Sequence, residues 1–245
     1  MPKNTSPTGN RSRDRKRSKK KSPSILTPVF LIIFFVVSAV GVALYLKYSK
    51  PGGVGNQTPS INNSSNIASV LSTNGWTKGN GAAKAVLVEF GDFQCGACAT
   101  AQLRISKITK QYGSQLKVVF KQYPMQRIHR NAMIAAQAAE AAGQQFKFWE
   151  MHDLLFERQN RWAQVPDAHT IFLKYASELG LDLARFKRDI WDSKIKEKIY
   201  RDVLEGQIAQ VQSVPAFFLN GKPLRNARDD AEFENLILEG IQSIQ

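Results

Sequence analysis

Val86-Leu87-Val88-Glu89-Phe90-Gly91-Asp92-Phe93-Gln94-Cys95-Gly96-Ala97-Cys98 is the stretch on which the reading of this chain turns. Val86 to Phe90 is a short apolar, β-branched run, the pattern of a buried strand. Gly91 to Gln94 breaks it as a turn. From Ala97 to Tyr112 the pattern is helical, with Leu103, Ile105 and Ile108 among its apolar positions, and Gly113 is a fitting stop. The chain has two cysteines, and both fall where the strand gives way to the helix.

That position has a chemical consequence. Free backbone N–H groups and the positive end of the helix dipole favour an anion, so they stabilise a thiolate at Cys95. A thiolate attacks a disulfide sulfur to form a mixed disulfide. Cys98, one helical turn on, is near enough to attack back and release the partner, and its sulfur is expected to be the more buried. Other uses of two cysteines fit less well. Zinc takes about four ligands, and His129, His152 and His169 are scattered without metal-ligand spacing. No metal is therefore expected. A structural disulfide closing so small a loop would constrain the unfolded chain little. Thiol redox chemistry leads, and it needs no cofactor beyond the Cys95–Cys98 pair.

Working outward, Leu116 to Phe120 reads as a second strand, so strand, helix and strand form a βαβ unit with parallel pairing. From about 127 to 212 the pattern is helical. Asn131–Ala142 is Ala-rich, Phe148, Met151 and Leu155 recur at helical spacing, and further helices are expected around Thr170–Leu179, Leu183–Trp191 and Ile195–Gln210. Strand character returns at Ala216–Leu219. Asn220-Gly221 is a two-residue hairpin signal leading into Lys222-Pro223-Leu224, and Asp229–Ile244 closes as an amphipathic helix. The class is α/β: βαβ, a helical insertion, then ββα, over a folded domain of 76–245. Trp149, Trp162 and Trp191 read as core or groove aromatics.

The N-terminal part differs in character. Residues 1–24 carry nine Lys or Arg against Asp14 alone, which accounts for most of the formal net charge of +14. The body is only mildly basic, so a nucleic-acid partner is not expected. Ile25 to Leu46 is uncharged and apolar, long enough for a bilayer core that takes about 20 residues. With the basic tail held in the cytoplasm, a transmembrane helix at 25–46 puts the C-terminal part outside. A cleaved signal peptide competes, but its apolar region is typically only about 7–15 residues. Residues 47–75, uncharged from Pro51 to Gly75, read as a flexible linker. With 43% hydrophobic residues overall, wholesale disorder is excluded.

The run Glu89-Phe90-Gly91-Asp92-Phe93-Gln94-Cys95-Gly96-Ala97-Cys98 resembles the active-site stretch of bacterial DsbA-like thiol-disulfide oxidoreductases. The likeness runs from about Gly79 to the C-terminus. It includes Phe148-Trp149-Glu150-Met151-His152 and Val214-Pro215-Ala216-Phe217-Phe218-Leu219-Asn220-Gly221. It implies a thioredoxin-like fold with a helical insertion, acting on exported protein thiols and disulfides. It also implies a cis-proline at Pro215, whose loop faces the cysteines and offers backbone hydrogen bonds to substrate, with Val214 and the Gly96-Ala97 dipeptide as further substrate contacts. Glu89, six residues before Cys95, matches the buried acid near the second cysteine. Burial would raise its pKa and suit proton exchange with Cys98. The chain departs from the family in its dipeptide, where many oxidising members have Pro-His or Pro-Tyr. No histidine between the cysteines supports the thiolate, so the direction of electron flow stays open. Ser213-Val214-Pro215 likewise replaces the frequent Gly-Thr-Pro.

Disulfide formation in exported proteins is the leading function. With two cysteines and no internal second pair, the chain requires a separate membrane redox partner. A reductase or isomerase on the same scaffold ranks lower, since no coiled-coil heptads suggest a dimer and a monomer is expected. A tethered peptide-binding or chaperone module is the non-enzymatic alternative. His129 and His152 read as local structural histidines rather than bases.

Overall fold

The computed structural model describes residues 74–225 and 227–244. The expected tail at 1–24, transmembrane helix at 25–46 and nearly all of the linker at 47–75 lie outside them. Among the described residues no helix is long and apolar enough to cross a membrane.

In chain order the elements are β1 (Trp76–Gly79), β2 (Ala85–Gly91), α1 (Gly96–Tyr112), β3 (Leu116–Gln122), α2 (Ala132–Gly143), α3 (Phe148–Glu157), α4 (Gln159–Trp162), α5 (His169–Glu178), α6 (Leu183–Asp189), α7 (Ser193–Ile208), β4 (Ala216–Leu219), β5 (Lys222–Pro223) and α8 (Asp230–Gln242). The sheet runs β1-β3-β2-β4-β5. β2 and β3 pair in parallel, Ala85 opposite Leu116 through Gly91 opposite Gln122, as the crossover through α1 requires. β4 lies antiparallel to β2. Asn220 and Gly221 turn the β4–β5 hairpin with φ of 52° and 76°, the left-handed conformation this dipeptide tolerates. The fold is thioredoxin-like α/β, with α2 to α7 between β3 and β4.

Period-two alternation distributes the strand residues. Ala85, Leu87, Leu116 and Val118 pack with Ile105 and Ile108 of α1 and Phe233, Ile237 and Ile241 of α8. Val88, Phe90, Val119 and Phe218 face the other way, against Tyr123, Ala209 and Val211. A separate core fills the inserted helices and reaches the turn after β2 through Phe93, Cys98 and Phe120. Both faces of the central strands are thus covered, which is why β2 and β3 read as continuous apolar runs rather than alternating ones.

Four expectations need correction. Leu103 is 73% exposed: two residues before Ile105 is roughly 200° around the helix, on the opposite face. Trp191 is also solvent-exposed, its ring beside His169 and under Lys196 Nζ, whereas Trp162 is fully buried. β3 continues past Phe120 because Lys121 is buried with its charge met by Asp202 Oδ1 at 3.3 Å, Glu205 Oε2 at 3.0 Å and the Asn74 carbonyl at 2.7 Å. The sequence reading assigned no strand at β1. It is an edge strand of four residues, held by pairing with β3 and by Trp76, which stacks on Phe148 and donates to Glu140.

Candidate active site

The two cysteines sit at the N-terminus of α1. Cys95 is its N-cap, with φ −78° and ψ 121°, and the Cys95 carbonyl accepts from Ala99 N at 3.1 Å. Both thiols are free; Cys95 is half-buried and Cys98 wholly buried. A hydrogen bond from the Cys98 thiol pulls the Cys95 pKa down to about 6, and the Cys98 and Ala97 amides add to it against burial and the nearby Asp92 charge. Donating that bond, and then burial, hold Cys98 far above its ordinary range. One sulfur is acidic and accessible, and the other is neutral and shielded.

Opposite them lies the loop after α7. The Val214–Pro215 peptide is cis. Cys95 Sγ is 3.5 Å from the Val214 carbonyl oxygen. Gly96 and Ala97 face solvent, and a Cβ placed on Gly96 would meet nothing within 4 Å, so a partner can approach. Beside them an open groove of about 450 Å³ is lined by Ala97, Ala101, Val214, Pro215, Phe217 and Phe233, with Arg104 and Arg225 among the residues at its walls.

Glu89 projects from the α1 side of β2, in step with Ala85 and Leu87. It is buried, its Oε1 meets no hydrogen-bond partner, and burial pushes its carboxyl up to about 8. Its charge reaches Cys98. Cys95, Cys98, Glu89, Val214, Pro215, Gly96 and Ala97 therefore gather at one end of the sheet. His152 is buried amid Phe93, Phe120, Phe148, Trp149 and Phe156, and burial lowers its pKa. It takes no part in this gathering. Among the described residues no cluster of His, Cys, Asp or Glu is suited to a metal ion.

What sequence reasoning missed is the harness on the turn between Asp92 and Cys95. Gln159 donates to the carbonyls of Phe93 at 2.8 Å and Cys95 at 3.0 Å. Gln94 donates to the Ala163 carbonyl and accepts from Asn131 N, both at 2.7 Å. Asn131, expected as the first residue of a helix, instead spends its side-chain amide on the carbonyls of Trp162, Ala163 and Val165. Asp92 Oδ1 accepts from Gln94 N at 2.7 Å, an Asx-turn, the one local signal the sequence offered.

A family model described as Thioredoxin matches residues 72–239. Among curated relatives, the Na(+)/H(+) antiporter NhaA 1 of Salinispora arenicola is 36% identical over 140 residues, 57% of this chain and 21% of that protein. The chain thus spans about a fifth of the length of such relatives. Among solved structures, oxidised BdbD from Bacillus subtilis superposes with a TM-score of 0.60 at 24% identity, covering 68% of this chain and 92% of that one. The thiol-disulfide exchange protein alpha-DsbA2 from Wolbachia pipientis gives 0.61 at 18%, covering 74% and 97%. With the family model matched over 72–239, more than half of its length, the chain belongs to the thioredoxin family, and its fold, inserted helices included, is that of these solved structures.

Proposed function

We propose that this chain is an extracytoplasmic enzyme that forms disulfide bonds in exported proteins by dithiol–disulfide exchange at Cys95 and Cys98. The observation that carries the reading is the division of labour between an accessible, acidic Cys95 and a shielded, neutral Cys98 at one helix N-terminus. In the oxidised protein a substrate thiolate attacks Cys95 Sγ. The Cys95–Cys98 bond breaks, and Cys98 leaves with the electron pair and takes a proton, which protonated Glu89 supplies. The second substrate thiolate then attacks the substrate sulfur of the mixed disulfide, and Cys95 leaves as a thiolate. The substrate has lost two electrons and the cysteine pair has gained them.

A separate membrane redox partner takes those electrons away. Val214 and Pro215 offer backbone to the substrate peptide, with Gly96, Ala97 and the adjoining groove as its remaining contacts. The chain is a monomer, held to the cell membrane by residues 25–46, with residues 1–24 in the cytoplasm and 47–75 as tether.

Direction follows from which form is favoured. A stabilised thiolate favours the reduced pair and so makes the disulfide a better oxidant. A reductase on the same scaffold is the second reading, because about 6 lies nearer the value of about 7 in thioredoxin than the value of about 3.5 in DsbA. Equilibration of the protein in graded glutathione buffers, read by thiol alkylation, separates the two. A midpoint toward about −120 mV supports the donor of disulfides and one toward about −270 mV the reductant. A pair that stays oxidised throughout would remove both.

A further inference from the structure

Asp92 lies outside the reacting group of residues, yet it touches both cysteines and the loop after β3. Its main-chain oxygen accepts from Cys95 N at 3.1 Å, and its main-chain N–H is directed at the Cys98 sulfur. Its side chain is wholly buried. Oδ1 accepts from Gln94 N at 2.7 Å; Oδ2 accepts from Met125 N at 2.8 Å and faces His129 Nδ1 at 2.7 Å. An ionised carboxylate only accepts, so His129 is the donor in that contact. Three N–H groups from two segments converge on one buried charge, which sits beside the reactive cysteine.

We propose that Asp92 is a positioning residue that sets the reactivity of Cys95, and that His129 sets the strength of its effect. The assignment rests on the exchange chemistry proposed for the two cysteines. As a clamp, Asp92 ties the turn before α1 to the loop between β3 and α2, so that both sulfurs keep their places. As a charge, it opposes the helix N-terminus and makes the Cys95 thiolate less favourable than the amides and Cys98 alone would. His129 draws part of that charge away through its N–H.

The groups facing the Cys95 sulfur are the Cys98 thiol and the Ala97 and Cys98 amides from α1, Asp92 from the turn, and the Val214 carbonyl from the loop opposite. Glu89 from β2 bears on Cys98. Within that set Asp92 is the one side chain whose negative charge raises the Cys95 pKa.

The two substitutions carry opposite signs. Asp92→Asn keeps the size of the side chain and removes the charge, its NH2 giving up the N–H donors on one side, and with the charge gone Cys95 becomes more acidic. His129→Ala removes a donor, leaves the charge less compensated, and makes Cys95 less acidic. The experiment measures iodoacetamide alkylation rates against pH on the full reduced chain. For Asp92→Asn the midpoint falls by roughly half to one pH unit, a three- to tenfold change in the thiolate equilibrium. For His129→Ala it rises, and in the Asp92→Asn background the His129→Ala change is silent. A loop that was merely loosened would not give shifts of opposite sign.

An unmoved or raised midpoint in Asp92→Asn overturns the proposal. So does a His129→Ala shift in the same direction as Asp92→Asn, and this second variant decides the matter should the first fail to fold. Glutathione equilibration of the wild-type chain is run alongside. If that chain never exchanges while the alkylation midpoints move as stated, the exchange reading falls and the role of Asp92 on Cys95 stands.

Discussion

Glu89→Gln is the perturbation whose size the structure defines best. The folded chain holds the Glu89 carboxyl at about 8 against an ordinary 4.5, through burial alone. Between those values the unfolded chain has released a proton that the folded chain keeps. Stability therefore falls as pH rises from 4.5 to about 8, and glutamine abolishes that fall. Each pH unit is worth about 1.4 kcal/mol, so the accumulated loss at pH 7 is about 3 kcal/mol. Glutamine brings its own unpaired amide into a place where Glu89 Oε1 already lacks a partner, a charge against it of about 1–3 kcal/mol. The variant should thus be about 1 kcal/mol more stable than the wild type near pH 7 and no better at pH 4.5. Urea unfolding of both reduced proteins at pH 5, 6, 7 and 8 measures the difference, in which titrations elsewhere cancel. Wild type and variant running parallel across that range would refute the reasoning, since a parallel pair means a carboxyl that folding does not burden.

Cys95 contributes in the opposite direction. Its thiol is lowered from 9.0 to about 6, so the reduced protein gains stability as pH rises through that window, where the folded chain has lost a proton that the unfolded chain keeps. Because Cys95 is half exposed, solvent screening limits the gain to about 1 kcal/mol at neutral pH. Thiolate absorbance near 240 nm should titrate around 6 and vanish in Cys95→Ser. Gln159→Ala removes two hydrogen bonds to the turn. It should lower stability by about 1–2 kcal/mol and speed amide exchange across 93–96, and unchanged exchange there would show that the turn holds itself.

The cysteines, strand β2, helix α1 and the hairpin at Asn220-Gly221 were legible because each rests on local chemistry. An apolar run, a helix start and a dipeptide that tolerates positive φ leave marks within a few residues. The harness on the turn leaves almost none. Gln159 stands 64 residues from Cys95, and a glutamine that bonds a distant carbonyl looks the same in sequence as one facing water. Lys121 was hidden for a related reason. Lysine ordinarily ends a buried run, and only the arrival of Asp202 and Glu205 from α7 makes its burial possible. Leu103 misled in the other direction, since its apolar character suggested core where helical geometry turns it outward. The burial of Glu89 was legible through the resemblance of its stretch to a known family, although the missing partner at its Oε1 was not.

The turn that carries Cys95 is fastened to Gln159, Ala163 and Asn131, all of them within or bordering the inserted helices rather than the sheet. The insertion and the reactive cysteine are therefore mechanically one unit. Exchanging these helices for those of a relative would leave every residue between the cysteines untouched and still change what fixes the turn beneath Cys95.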